Sequence, residues 1–311
     1  MAQKLKGILA PNQCFWGAAL VYPIYDLVSQ TTRDDDNRFA RFLYLDRSNF
    51  KWTEKNINLF DDELIRYSEE KDDDLSGAKV IFAVHPGLHD YVHGLFSAKG
   101  GAEIDIAARI LVDNVEEFRS ILPETVKRLT GNSLTSQQLN LISDKELNLL
   151  ILPDNAKRFI FHRCIVKASN FIYMFVDSLA SVFSFMVTYP VFLFLTPKIG
   201  PIASLVVVPL LATGFFFFIL RSMCNYAVDS HLDQQATELD EELLKGAYRY
   251  LEISQKFCLL MNRLAKKDRG HPFSADGNPT DTSTPFAYRL GVLKDREKAN
   301  KEQARKTKKY V

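Results

Sequence analysis

Residues 171–195 read FIYMFVDSLASVFSFMVTYPVFLFL, and residues 199–220 read IGPIASLVVVPLLATGFFFFIL; only Thr196, Pro197 and Lys198 lie between them. The first run holds one ionisable side chain, Asp177, and the second holds none. At about 1.5 Å of rise per residue, either run as a helix reaches across a hydrocarbon core of about 30 Å. A pair of buried core helices is the competing reading, but Phe215–Leu220 is apolar all round and offers no polar face. The stretch therefore predicts a transmembrane helical hairpin, with spans at about 171–195 and 199–220 and a breaker-rich turn at Thr196–Pro201. Lys157, Arg158, Arg163 and Lys167 precede the first span and Arg221 follows the second, whereas the turn carries Lys198 alone. The positive-inside rule then sets both long flanks on the more negative side, which in a mitochondrion is the matrix. Asp177 falls near the charged flank, where water reaches a carboxylate. Pro190 and Pro209 are expected to kink their helices. Ser178, Ala180, Ser181 and Ser184 give the first helix a small-residue face suited to close packing in a membrane.

Working outward, the fold class expected is a mainly α membrane protein: a two-span hairpin at 169–221 with a mixed α+β soluble domain. The remaining divisions are an apolar N-terminal segment at 1–30, an α+β region at 31–168, a helical region at 222–293 and a basic tail at 294–311. Lys4 and Lys6 precede any acid, and Cys14–Tyr25 is apolar apart from turn-prone residues, so segment 1–30 reads as membrane-associated. Acidic clusters at Asp34–Asp36, Asp61–Glu63, Glu69–Glu70 and Asp72–Asp74 read as solvated faces and loops. Leu59, Leu64, Ile65 and Tyr67 suggest an amphipathic helix between them. Lys79–Val84 reads as a strand, and Glu103-Ile104-Asp105-Ile106 alternates like a half-buried one. Thr135 to Gln138 fits a capping box that opens a helix to Leu150. Pro153-Asp154 starts a helix expected to run unbroken into the membrane. Another helix is expected from Arg221 to about Lys267, with a weak point at Gly246.

The chain has 39 basic and 38 acidic residues and a net charge of +1, which argues against a nucleic-acid partner. Cys14, Cys164, Cys224 and Cys258 form no C-x-x-C pair and read as free thiols. The basic tail has three open partners: anionic lipid, RNA, or nothing specific. G-x-S-x-G, Walker A and G-x-G-x-x-G patterns are all missing. His85, His89 and His93 recur at helical spacing, but Pro86 and Gly87 interrupt them, so they read as loop or strand residues and not as metal ligands.

The order of motifs after the hairpin brings a resemblance. Asn225–Asp233 leads into Gly246–Glu252, then Phe273–Asn278, then Tyr288-Arg289-Leu290, with Asp154–Phe159 ahead of the first span. This order resembles the transmembrane protein 177 family over about residues 100–298. The resemblance implies a multi-pass mitochondrial inner-membrane protein, non-catalytic and without a cofactor. It would assist newly made cytochrome c oxidase subunit II together with the membrane chaperone of that subunit. Implied partners are thus those two proteins and the lipid bilayer.

A second likeness supplies the alternative. Membrane zinc peptidases of the CAAX-prenyl-protease and overlapping-activity kinds carry H-E-x-x-H on a helix before a membrane hairpin. A helix with E-x-x-x-D follows the hairpin, and a Pro and Arg segment lies near the end. The corresponding positions here are His162, Arg163 and Val166, then Asp229 and Asp233, then Pro285 and Arg289. Zinc chemistry needs two histidines four apart and a carboxylate beside the first. With Arg163 in place of the base and Val166 in place of the second ligand, the layout reads as a degenerate zincin-like peptidase fold without catalysis.

Overall fold

The computed structural model describes residues 11–31, 48–72, 75, 77–238, 240–265, 272–281 and 283–307. Lys4, Lys6, Asp34–Asp36, Asp73, Asp74 and the last residues of the basic tail lie outside them. The described chain begins with helix α1 (Pro11–Thr31) and helix α2 (Glu54–Lys71). Thr53 caps α2 by accepting the Asn56 N–H, and Asp72 closes it in the left-handed conformation. Strands β1 (Val80–His85), β2 (Tyr91–Gly94) and β3 (Ala102–Ala107) form one sheet ordered β1-β3-β2. β3 runs parallel to β1, with Val80 opposite Ala102, and antiparallel to β2, with Tyr91 opposite Asp105.

Every residue of β3 is buried, so the half-buried strand suggested by its alternating sequence is corrected. A central strand covered on both faces has no solvent side, and its Glu103 and Asp105 are buried with the rest.

Short helices α3 (Ala108–Leu111), α4 (Val115–Thr130), α5 (Ser136–Asn140) and α6 (Asp144–Asn148) follow. The capping box is present at Thr135 and Gln138, but the helix it opens ends at Asn140. A new turn then starts under the Ser143 cap, which accepts the Glu146 N–H. Helix α7 (Asp154–Ser169) begins after Pro153 as expected. It does not run into the next helix: Asn170 adopts extended φ and ψ, and its side chain caps α8 (Phe171–Ile199). α9 (Pro201–Phe215), a π-helical turn at Phe216–Leu220 and α10 (Arg221–Thr237) then form one unbroken rod. Asp240 caps α11 (Glu241–Leu264), and α12 (Phe286–Thr307) ends the described chain.

The two-span hairpin is corrected by this arrangement. Among the described residues one helix, over Phe175–Ile199, is long and apolar enough to cross a membrane. The second apolar run falls on α9, a 15-residue apolar helix shorter than a candidate span. Its backbone then changes to π hydrogen bonding and passes into α10, whose Leu232, Asp233 and Ala236 are buried in the main core. The multi-pass inner-membrane placement with both flanks in the matrix falls with the two-span reading. The fold is instead one mostly helical domain held by buried ion pairs and aromatic packing. α8 continues through Pro190 and Pro197 without ending.

Two clusters make up the interior. In the larger, Phe159, Ile160 and Cys164 of α7 pack with Tyr250, Leu251 and Phe257 of α11 and with Ile104 and Ile106 of β3. In the smaller, Phe15 and Ala19 of α1 meet Phe185 and Phe192 of α8 and Val208 and Ala212 of α9. The Phe15 and Phe192 rings stack there at 4.8 Å. The small-residue face lies inside: Ser178, Ala180, Ser181 and Ser184 are all buried. Ser184 donates to the Ala212 carbonyl and Ser178 to the Asp26 carboxylate. Phe183, Met186 and Phe194 of α8 and Ile202 and Leu210 of α9 remain exposed.

Gly246 is the point at which α11 crosses α7, and not a weakness in the helix. A Cβ there would sit 2.1 Å from the Asn155 carbonyl oxygen, so only glycine lets the backbones approach. Gly246→Ala is therefore expected to cost about 1–3 kcal/mol of stability in urea unfolding. Gly291→Ala, on α12 with nothing within 4 Å of the added methyl, is expected to leave stability unchanged or raise it by up to about 1 kcal/mol.

Candidate functional site

α7 presents His162, Arg163 and Val166 in the middle of the domain, and all three are buried. Neighbours in a helix sequence point about 100° apart, and the structure uses this to send them to different partners. His162 turns toward α2, where Nδ1 lies 3.1 Å from Glu63 Oε2. Glu63 also accepts from Arg158 Nη1 at 2.8 Å. Val166 joins the main core. Arg163 turns toward α10. Its Nη1 donates to Asp90 Oδ2 at 2.6 Å, its Nε to Asp233 Oδ1 at 3.0 Å, and its Nη2 to Asp229. Asp229 and Asp233, four apart, share one face of α10. Asp233 also takes Arg289 of α12, through Nε at 2.6 Å and Nη2 at 2.7 Å.

The sequence-derived peptidase positions are thus only partly brought together. Arg163, Asp229, Asp233 and Arg289 form one ion-paired cluster, buried except at half-buried Asp229, whereas His162 and Val166 face elsewhere. Two members were missed. Asp90 arrives from the β1–β2 loop, and nothing in its local sequence marks it. Glu63 was read as part of a solvated acidic cluster; it is fully buried, a correction to that reading. Its signal was present: Leu59, Glu63 and Tyr67 recur every four residues and line one face of α2.

Electrostatics fix the charge states. Burial alone would push the Asp90 carboxyl up, but Arg163, Lys167 and Arg289 override it and hold it well below the usual carboxylate range. Asp229 is likewise lowered against its burial, by Arg163 and then Arg289. Burial opposes the charge on Arg163, yet Asp90, Asp229 and Asp233 raise its pKa well above the ordinary value. A third buried guanidinium, Arg109, lies nearby. It donates to Ser254 Oγ at 3.0 Å and to the Leu88 carbonyl at 3.3 Å, over the Phe257 ring at 5.0 Å.

Chemically, the cluster is a fixed ionic clamp. Each carboxylate that a metal or a proton transfer would require is engaged by a guanidinium. Among the described residues, no group of three His, Cys, Asp or Glu side chains is placed to hold a metal ion. Comparison with protein-family models, curated proteins and solved structures finds no match to this chain.

Removing the central cation leaves Asp90 and Asp229 without the Arg163 guanidinium and Asp233 held by Arg289 alone. Arg163→Met is expected to destabilise the domain by about 3–5 kcal/mol at pH 7. Part of the loss should return at pH 5, because unpaired buried carboxylates take up protons more readily. Urea unfolding at the two pH values checks both statements.

A second expectation concerns His85 and His89, which burial pushes down to about 4 from an ordinary 6.5. Between those values the unfolded chain binds protons that the folded chain refuses, so stability is lost as pH falls from about 6.5 to about 4. His85→Gln is expected to flatten that slope in a pH series of unfolding midpoints.

Proposed function

We propose that this chain is a non-catalytic factor that holds and stabilises another protein. The observation that carries the reading is Arg163. It stands where the peptidase-like layout would place the catalytic glutamate, and its guanidinium ties up Asp90, Asp229 and Asp233. A cation cannot take a proton from an attacking water, and an arginine stays charged at any working pH. The engaged carboxylates favour a structural part for a layout that elsewhere performs hydrolysis.

A holding function needs a surface. Phe183, Met186, Val187, Phe194, Ile202, Val206 and Leu210 are all exposed on α8 and α9. Contiguous apolar area of this kind marks an interaction site. The occupant that fits it chemically is an apolar segment of a client polypeptide. The resemblance of Asn225–Asp233, Gly246–Glu252 and Phe273–Asn278 to the transmembrane protein 177 family names the client to try first. That client is newly made cytochrome c oxidase subunit II, accompanied by its chaperone.

Affinity capture of the tagged full-length chain after a short pulse of labelled synthesis tests this. Labelled subunit II and its chaperone are expected to be enriched over a tag-only control. Phe183→Gln combined with Met186→Gln is expected to reduce that recovery several-fold while leaving the unfolding midpoint unchanged. Equal recovery with the variant, or none with the wild type, overturns the reading.

A further inference from the structure

The exposed face of α8 carries a regular repeat. Ile172, Leu179, Met186 and Leu193 recur every seven residues. All four are exposed, from 49 % at Leu193 to 63 % at Ile172 and Leu179. Four residues after each of them stand Val176, Phe183, Pro190 and Pro197. Val176 is half-buried and the other three are exposed. Spacings of four and three residues in alternation define the seam of a coiled coil, with the two sets at its d and a positions. α8 is 29 residues long, so the seam runs the length of a rod of about 43 Å.

The opposite side of α8 is already occupied. Phe185 and Phe192 pack there with Phe15 of α1 and with Val208 and Ala212 of α9. Ser184 donates to the Ala212 carbonyl beside them. The seam itself is left to solvent. A strict repeat asks for more than an apolar surface: lipid or an extended chain needs only the latter, whereas a helix laid alongside needs a stripe that keeps facing it.

Area, charge and shape point to a second copy of α8 as the occupant. A Leu, Met or Phe side chain left half exposed offers roughly 100 Å². The seam and its edges together then offer roughly 800 Å² on each copy, the amount a stable pair needs. The flanking positions are Phe175, Val182 and Tyr189 on one side and Ala180, Val187 and Phe194 on the other, none of them charged. Two copies therefore meet without repulsion. The two charges on α8 are engaged within their own chain, Asp177 with Arg221 and Lys198 over the Phe194 ring.

Laid antiparallel in full overlap, the seam complements itself. Phe183 of one copy comes level with Met186 of the other, Val176 with Leu193, Leu179 with Pro190 and Ile172 with Pro197. Each proline, short in reach, then faces a long aliphatic side chain. A parallel pair would set proline against proline at two levels and leave gaps there, and it would align the two helix dipoles unfavourably.

We propose that two copies of this chain pair through α8, antiparallel about a two-fold axis midway between Phe183 and Met186. These two residues also belong to the face offered to a client, so pairing covers that face until a client arrives. Pairing is measured on the chain alone and stands or falls separately from client holding.

Sedimentation equilibrium of the full chain in detergent-free buffer is expected to return the mass of two chains at micromolar concentration. Leu179→Asn is expected to raise the dissociation constant at least tenfold. Cross-linking reads the orientation, in a background carrying Cys14→Ser and Cys224→Ser to remove the two half-buried thiols. Val176→Cys and Leu193→Cys combined are expected to join two chains through a short bis-maleimide. Either change alone is expected to join none, because in the antiparallel pair each position lies about 25 Å along the rod from its own counterpart. A cross-link from Val176→Cys alone, a single-chain mass at every concentration, or single chains that float with phosphatidylcholine vesicles overturns the proposal.

Discussion

One guanidinium, that of Arg163, meets three carboxylates from two other segments, and the relative placement of α7, α10, α12 and the β1–β2 loop depends on it. Burying a lone charge is costly; a buried cation persists when geometry and hydrogen bonds are complete. Arginine suits the task because its planar fork directs several N–H groups outward at fixed angles. Asp233 extends the connection by accepting Arg163 on one oxygen and Arg289 on both. Three buried arginines, Arg109, Arg163 and Arg289, stand against three aspartates, Asp90, Asp229 and Asp233.

Around this centre, apolar packing supplies the bulk of the attraction. α7 is buried on nearly every side, consistent with a helix that has no polar stripe. It touches α2 through Glu63 and Arg158, α11 through the Gly246 crossing, and α10 through the clamp. Lys157 on the same helix is also fully buried, held by Asp113 at 2.8 Å and the Leu111 carbonyl at 3.1 Å. A helix that carries ions on several faces and still lies in the core is specified by its partners more than by its own pattern.

That explains what the sequence could and could not convey. Elements with local signals were legible: the Thr135 box, the start of α7 at Pro153-Asp154, and the strand near Lys79–Val84. The peptidase-like spacing also marked Arg163, Asp229, Asp233 and Arg289, which meet in space. The partnership of Asp90 with Arg163 was not legible, because it arises when a loop folds back on a distant helix. The hairpin was misread for a related reason. A run of apolar letters records composition, but not that Asn170 ends one helix or that the backbone of Phe216–Leu220 changes its hydrogen-bond register. Gly246 was misread because low helix propensity and close helix approach look the same in a sequence.

The π turn between α9 and α10 has a geometric consequence. A π turn accommodates one residue more than the α-helix around it, so it offsets everything downstream by about 100° of rotation. Here that offset sets the azimuth of the Asp229–Asp233 edge relative to the buried face of α9 at Ser204, Val208 and Ala212. Backbone hydrogen bonding is helical without a gap from Pro201 to Thr237, so the exposed apolar residues of α9 and the clamp carboxylates of α10 are carried on one continuous stretch of chain.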